Sequence, residues 1–383
     1  MNLRDAWGLD PTVTYLNHGS FGACPKAVLE VQSALRLEME REPVDFLSGR
    51  LAGRIDAARG VLATFLSADP GDLVFVANAT AGVNAVLRSL RFAPGDELLV
   101  TDHTYNACRK TIDFVCAREG AHVVVAPLPF PVEHVDDIVA AVMAHVTPAT
   151  RLALMDHVTS PTALVMPLAR LVAALEAAGV DTLVDGAHAP GMVPIDLSAL
   201  GAAYYTGNAH KWLCAPKGAA FLHVRRDRQS ALHPTVISHG YAAGFHAEFD
   251  WTGTVDPSPW LSIPAALSTM EALVTGGWPA IMARNRTLAI RARELMLATL
   301  GLAAPCPEAM LGSMAAIPLP AARAGTPAAG LDCPGLHAWF RARAVEIWVH
   351  PKPVPLLRLS AQLYNDIGEF DLLARLLGQA YGR

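Results

Sequence analysis

Charge is scarce in this chain. Of its 383 residues 17% are Asp, Glu, Lys or Arg, against 52% hydrophobic, and the net charge is only -5. There is no basic run and no basic–aromatic stripe, so the electrostatic footprint of a nucleic-acid binder is missing. Long apolar runs are missing too. A candidate such as "LARLVAALEAAGV" is too short for a membrane span and carries charges. The opening "MNLRDAWGLDPTVTYLNHGSFG" has no uninterrupted apolar core behind a basic head and does not read as a signal peptide. A cytoplasmic protein with neither a nucleic-acid nor a membrane partner is expected. Cysteines are few and scattered, at 24, 108, 116, 214, 306 and 333, with no C-x-x-C pair. They read as reduced thiols used as small core residues. Four signatures are absent: H-E-x-x-H, G-x-G-x-x-G after a first strand, G-x-x-x-x-G-K-[ST] and G-x-S-x-G. No metal is expected.

What is present is an alternation of short apolar runs with helical patterns. Residues 26–41 read as a helix entered at Pro25, with Val28, Val31, Leu35 and Met39 at helical spacing. Strands then read at 73–78, 96–102, 122–128, 151–158 and 181–188, with helices between them, one ended by Gly120. "AAYYTGNAHK" and "GAAFLHV" close the series. Apolar strands alternating with helices make a mostly parallel sheet covered on both faces. After about residue 250 the order changes to a long helical stretch, 262–300, and a mixed segment. The expected division is a large domain, 14–255, and a smaller α+β domain from 1–13 plus 256–383.

In open parallel sheets, ligands bind outside the carboxyl ends of the strands. Here those ends carry Asn78-Ala79-Thr80, Asp102-His103, Asp156-His157, Asp185 to His188, and Asn208 to Lys211. One polar strand end is ordinary capping; five together indicate a site. Lys211 sits in the otherwise uncharged "YYTGNAHKWLCAP". An ammonium is costly to bury there, whereas a neutral lysine suits a Schiff base. Asp185 ends an apolar strand and needs a cationic partner, which a protonated pyridine nitrogen supplies. The turn after "LVFVAN" places free backbone N–H groups at a helix start, an anion site. Aldehyde partner, ring-nitrogen partner and phosphate site together describe pyridoxal 5'-phosphate.

In chain order, "YLNHGSFG", "FVANATAGVN", "TDHTYNA", "DHVTSPTALVMP", "DGAHAPG", "GNAHKWLCAPKGAAFL", "WTGTVDPSPWL" and "LLRLSAQLYN" resemble the class V aminotransferase family of fold-type I pyridoxal phosphate enzymes. Within it they resemble the isopenicillin N epimerase-like and hercynylcysteine sulfoxide lyase-like branch. The resemblance spans almost the whole chain. It implies an α/β fold with a mostly parallel seven-stranded sheet in the large domain, and a homodimer with shared active sites. It implies that Lys211 carries the cofactor and shuttles the substrate α-proton, and that Asp185 keeps the ring nitrogen protonated. His188 and Ser160 match positions beside the ring oxygen. Ala79, Thr80, Asn208 and His210 match phosphate ligands, and Thr254 matches one reaching in from the neighbouring subunit. His103 matches the ring-stacking residue, with Tyr105 close by as a proton donor; the two roles are open to exchange. Arg358 matches the arginine for the substrate α-carboxylate. Asn17 and His18 match a segment lining the substrate pocket, with Gly19 and Gly22 making its turn. Lys217 matches a structural turn position.

The implied activity acts on an amino acid through an external aldimine and α-proton abstraction. Beta-elimination at a C–S bond and epimerisation are the expected outcomes, with class V transamination as the alternative. Cysteine desulfuration is disfavoured, because "RARAVEIWVHPKPVPLLRLS" offers no acceptor cysteine ahead of Arg358. A non-catalytic member is disfavoured by the intact Lys211, Asp185 and Arg358.

Overall fold

A computed structural model describes residues 3–383; Met1 and Asn2, part of the expected smaller domain, lie outside the described residues. Seven strands form the main sheet: β1 (Leu73–Val76), β2 (Glu97–Thr101), β3 (His122–Ala126), β4 (Thr150–Asp156), β5 (Asp181–Asp185), β6 (Tyr204–Asn208) and β7 (Ala220–Val224). Their spatial order is β1-β7-β6-β5-β4-β2-β3. Only β7 runs antiparallel to its neighbours, so the sheet is mostly parallel, as expected.

The strands are apolar because both faces are covered. Leu98, Val100, Leu152, Leu154 and Leu183 face α3 (Ala79–Ser89) and α4 (Asn106–Glu119). The alternate residues, Leu99, Ala153, Met155 and Val184, pack into the opposite core. That core also takes residues of α2 (Leu51–Phe65). Helix ends follow local chemistry. Asn78 caps α3 by accepting from the Ala81 N–H at 2.9 Å, and Gly120 ends α4 at φ 76°.

Two sequence readings change. The long helix breaks into Ile263–Ala272 and Gly277–Leu300, because Gly276 and Gly277 take φ of 93° and 59°, which end a helix rather than continue it. On α1 (Lys26–Arg41) the buried side chains are Val28 and Gln32 rather than the full apolar series, and Val31 is exposed. Beyond residue 300, three antiparallel strands form a second sheet: β8 (Met314–Pro318), β9 (Trp348–His350) and β10 (Leu356–Ser360). No helix among the described residues is long and apolar enough to cross a membrane.

Candidate active site

The carboxyl ends of β1, β4, β5 and β6 surround a cavity of about 380 Å³. Asn78, Ala79, Thr80, Tyr105, Asp156, Ser160, Asp185, His188, Asn208, His210 and Lys211 line it, joined by Ser20 and Phe21 from the N-terminal segment. Nine of the positions given a role by the sequence, with the strand-end residues Asn78 and Asp156, therefore meet in one place.

Lys211 is presented by a loop that closes on itself. The Ala209 and His210 N–H groups both donate to the Ala219 carbonyl at 3.0 Å, and Cys214 N–H donates back to the Lys211 carbonyl at 3.1 Å. Trp212 is buried beside it. The Lys211 amine reaches His188 Nε2 at 3.2 Å. Burial pushes that amine down to about 7, helped by the Arg358 charge and opposed by Asp185 and Cys108. A neutral amine near neutrality is what a Schiff-base lysine needs.

Asp185 accepts from the Ala187 N–H at 3.0 Å and from the Cys108 thiol at 3.2 Å. Asn208 accepts the Ala79 N–H at 2.8 Å, so β6 is tied to the start of α3. His210 bonds the Ala219 carbonyl through Nδ1 at 3.1 Å, and burial pushes its ring down to about 4.

Arg358, on β10, is 2% exposed and none of its partners is a carboxylate. It donates from Nη1 to the Ser160 carbonyl at 2.7 Å and hydroxyl at 3.2 Å, and from Nη2 to Ser20 Oγ at 2.9 Å and Asn17 Oδ1 at 3.5 Å. Its Nε has no partner. Burial lowers its affinity for its proton to about 10.

His18 is not in the cavity wall. It is fully buried, donating from Nε2 to the Lys211 carbonyl at 3.0 Å and accepting from the Tyr364 hydroxyl at Nδ1 at 2.8 Å. Its place is behind the lysine loop rather than beside a substrate. Asn17 stands between Arg358, Ser20 and Glu346. His103 is also fully buried, bonded through Nδ1 to Thr162 Oγ1 at 3.0 Å, while Tyr105 is the neighbour that lines the cavity. Thr254 is exposed, outside the cavity of its own chain.

Of the two glycines read as turn formers, Gly22 alone takes a positive φ, 72°. A Cβ there would lie 2.3 Å from the His210 carbonyl oxygen. Gly22→Ala therefore combines backbone strain with a push on the segment carrying Lys211. It is expected to cost more than about 2 kcal/mol in urea unfolding and to lower cofactor retention; an unchanged midpoint would refute this packing argument.

The residues fit pyridoxal 5'-phosphate. Buried polar atoms without partners call for an explanation, and two of them, His188 Nδ1 and Asp156 Oδ2, belong to side chains that line the cavity. Sequence reasoning noted Asp156 at a strand end without giving it a role and passed over Cys108, Ser20 and Phe21. The shared strand-end position of Asp156 and Asp185 was the available signal; the thiol contact carried none.

The model of the family described as aminotransferase class-V matches residues 24–320. The isopenicillin N epimerase of Streptomyces clavuligerus is 37% identical, covering 98% of this chain and 96% of that protein. A probable chloroplastic L-cysteine desulfhydrase of Arabidopsis thaliana is 32% identical, covering 95% of this chain and 82% of that protein. A solved complex of the cystine C–S lyase C-DES with cysteine persulfide has the same fold, with a TM-score of 0.81 at 21% identity over 97% of this chain and 98% of that one. The chain belongs to the class V aminotransferase family.

Proposed function

We propose that this class V family member is a pyridoxal 5'-phosphate enzyme that removes the α-proton of an amino acid and completes either a β-elimination, as a C–S lyase, or an epimerisation. When bound, the cofactor supplies an aldehyde for the amino group and a ring that accepts electrons. Lys211 is its covalent anchor and moves the α-proton. Asp185 holds a proton on the ring nitrogen. Ala79, Thr80, Asn208 and His210 bind the phosphate, while Ser160 and His188 serve the ring oxygen. Arg358 binds the α-carboxylate, oriented by Asn17, and Tyr105 is the proton donor at the open side. His103 backs the ring, and His18 braces Lys211.

The observation that carries this reading is Arg358: a buried guanidinium with no anionic partner of its own, bonded to Ser160 and Ser20 of a cavity whose lysine burial pushes down to about 7. A buried charge without a counter-charge is costly, and a substrate carboxylate removes that cost bidentately. The test is spectroscopic and isotopic. The protein loaded with pyridoxal 5'-phosphate should absorb in the visible and lose that band on borohydride reduction; a protein that cannot be loaded refutes the reading. In deuterated water, α-exchange with inversion identifies an epimerase, and pyruvate with a released sulfur species identifies a lyase.

The same reading makes the protein a cytoplasmic homodimer. The cavity then lies between the unit 14–255, which supplies Lys211 and Asp185, and the unit 1–13 plus 256–383, which supplies Arg358. Support comes from Val255, exposed next to Thr254 in the chain, and from Val236, exposed and lining one cavity with Thr252 and Val255. If Thr254 serves the partner's phosphate, mixing inactive Lys211→Ala with Thr254→Ala chains restores one complete site per heterodimer. Activity should return to a sizeable fraction of wild type; no recovery in purified heterodimers would exclude sharing.

A further inference from the structure

Two carboxylates stand side by side at the floor of the cavity. Asp156 ends β4, Asp185 ends β5, and the two are direct partners in the parallel ladder. Paired residues on adjacent strands leave the sheet on the same face. Here that is the face of α3 and α4, where Leu154, Leu183 and Cys108 also pack. Both are buried, at 3% and 4% exposure.

Their surroundings differ. Asp185 has a donor on each oxygen: the Ala187 N–H on Oδ1 and the Cys108 thiol on Oδ2. Asp156 lines the cavity with Oδ2 buried and unpartnered. Two neighbouring carboxylates in a dry site do not both ionise. Hydrogen bonds to the charged form favour it; Asp185 has a donor on both oxygens, whereas Asp156 leaves Oδ2 without one.

We propose that Asp156 and Asp185 hold one proton between them, that it resides on Asp156, and that Asp156 is thereby a positioning residue. As a neutral carboxylic acid it keeps the cavity floor at one negative charge and offers an O–H donor beside Asp185. Burial first, and then the Asp185 charge, push Asp156 well above the ordinary carboxylate range, against the pull of its own and the Tyr105 backbone N–H. The other titratable groups facing this pair are the Cys108 thiol on α4, which feels both carboxylates, and the Lys211 amine beyond β6.

The consequence reaches Lys211. Asp185 already opposes the burial that keeps its amine neutral. A second negative charge would hold the ammonium and slow its reaction with an aldehyde. A single negative charge also matches a single protonated ring nitrogen, a consequence that rests on the cofactor reading above.

Asp156→Asn, nearly isosteric and always neutral, tests the proposal. Infrared spectra of the apoprotein at pH 8 should contain the carbonyl stretch of an un-ionised carboxylic acid, shifted in deuterated water. Asp156→Asn should lack it. A wild type without the band, or a variant that keeps it, overturns the proposal. The second measurement is the pH midpoint of pyridoxal 5'-phosphate uptake by the apoprotein, which follows the Lys211 amine. Exchanging one neutral group for another should leave it in place. A fall of ~1 pH unit or more would mean that a charge had been removed, and would also overturn the proposal. The infrared band needs no cofactor, so it remains decisive even if the apoprotein takes up no pyridoxal phosphate and the functional reading fails.

Discussion

Lys211→Ala yields a folded protein that no longer fixes its cofactor: pyridoxal 5'-phosphate binds reversibly, borohydride attaches nothing, and turnover falls by at least about 10³-fold. Two losses combine. On the proposed roles of Lys211, the anchor is gone, and so is the group that moves the α-proton. The fold should be little affected, because the loop is held by backbone and neighbours rather than by the amine. Ala209 and His210 bond Ala219, Cys214 bonds the Lys211 carbonyl, and Trp212 is packed into the core. Lys217→Ala is the control. Its amine donates to the Gly22 carbonyl at 3.0 Å, so it should retain cofactor attachment. If Lys217→Ala lost attachment and Lys211→Ala kept it, the assignment would be reversed.

Arg358→Met should separate function from stability. Two charge-assisted hydrogen bonds to a carboxylate contribute about 1.5–3 kcal/mol each, so kcat/KM for an amino acid should fall by roughly 10²–10⁴-fold. Attachment of the cofactor to Lys211 should survive, because burial is the main cause that keeps that amine low, but its pH midpoint should move up, because the Arg358 charge that helps hold the amine neutral is gone. The apoprotein should be at least as stable as wild type. A buried cation facing only Ser160, Ser20 and Asn17 oxygens is under-compensated, and an apolar side chain of similar volume relieves that cost. The same conflict between activity and stability is common where a binding site is kept ready for a charged ligand. Arg358→Lys keeps the charge but not the fork and should regain only part of the lost activity. A Met variant that melts far below wild type would show that the guanidinium is chiefly a structural tie.

The strands and helices of the main sheet were legible because both faces are covered: apolar runs such as "LVFVAN" leave little choice of element. The site was legible for a related reason. Parallel strands bring their carboxyl ends to one edge, so the polar residues at 78–80, 185–188 and 208–211 had to converge. The rest depended on contacts that one sequence does not encode. His18 follows Asn17 in a segment that matched a pocket wall, yet its ring turns inward to the Lys211 carbonyl and Tyr364. Its burial is decided by residues almost two hundred and more than three hundred positions away. The break in the 262–300 helix was written in Gly276 and Gly277, but adjacent glycines mark a helix end only when the backbone takes positive φ. Helix α1 was read by spacing alone, and spacing does not say whether a neighbouring surface exists to cover Val31.

The brace behind Lys211 has a consequence for how the protein comes into being. His18, the lysine loop and Tyr364 are joined in one buried chain of hydrogen bonds, which draws on the start, the middle and the late part of the polypeptide. During synthesis the lysine leaves the ribosome well before Tyr364 does. For that interval the main sheet has its strands, yet the loop lacks its rear support and the cavity lacks Arg358. Contacts of such long sequence separation form late. The lysine loop therefore gains its rear support only once the chain through residue 364 is in place.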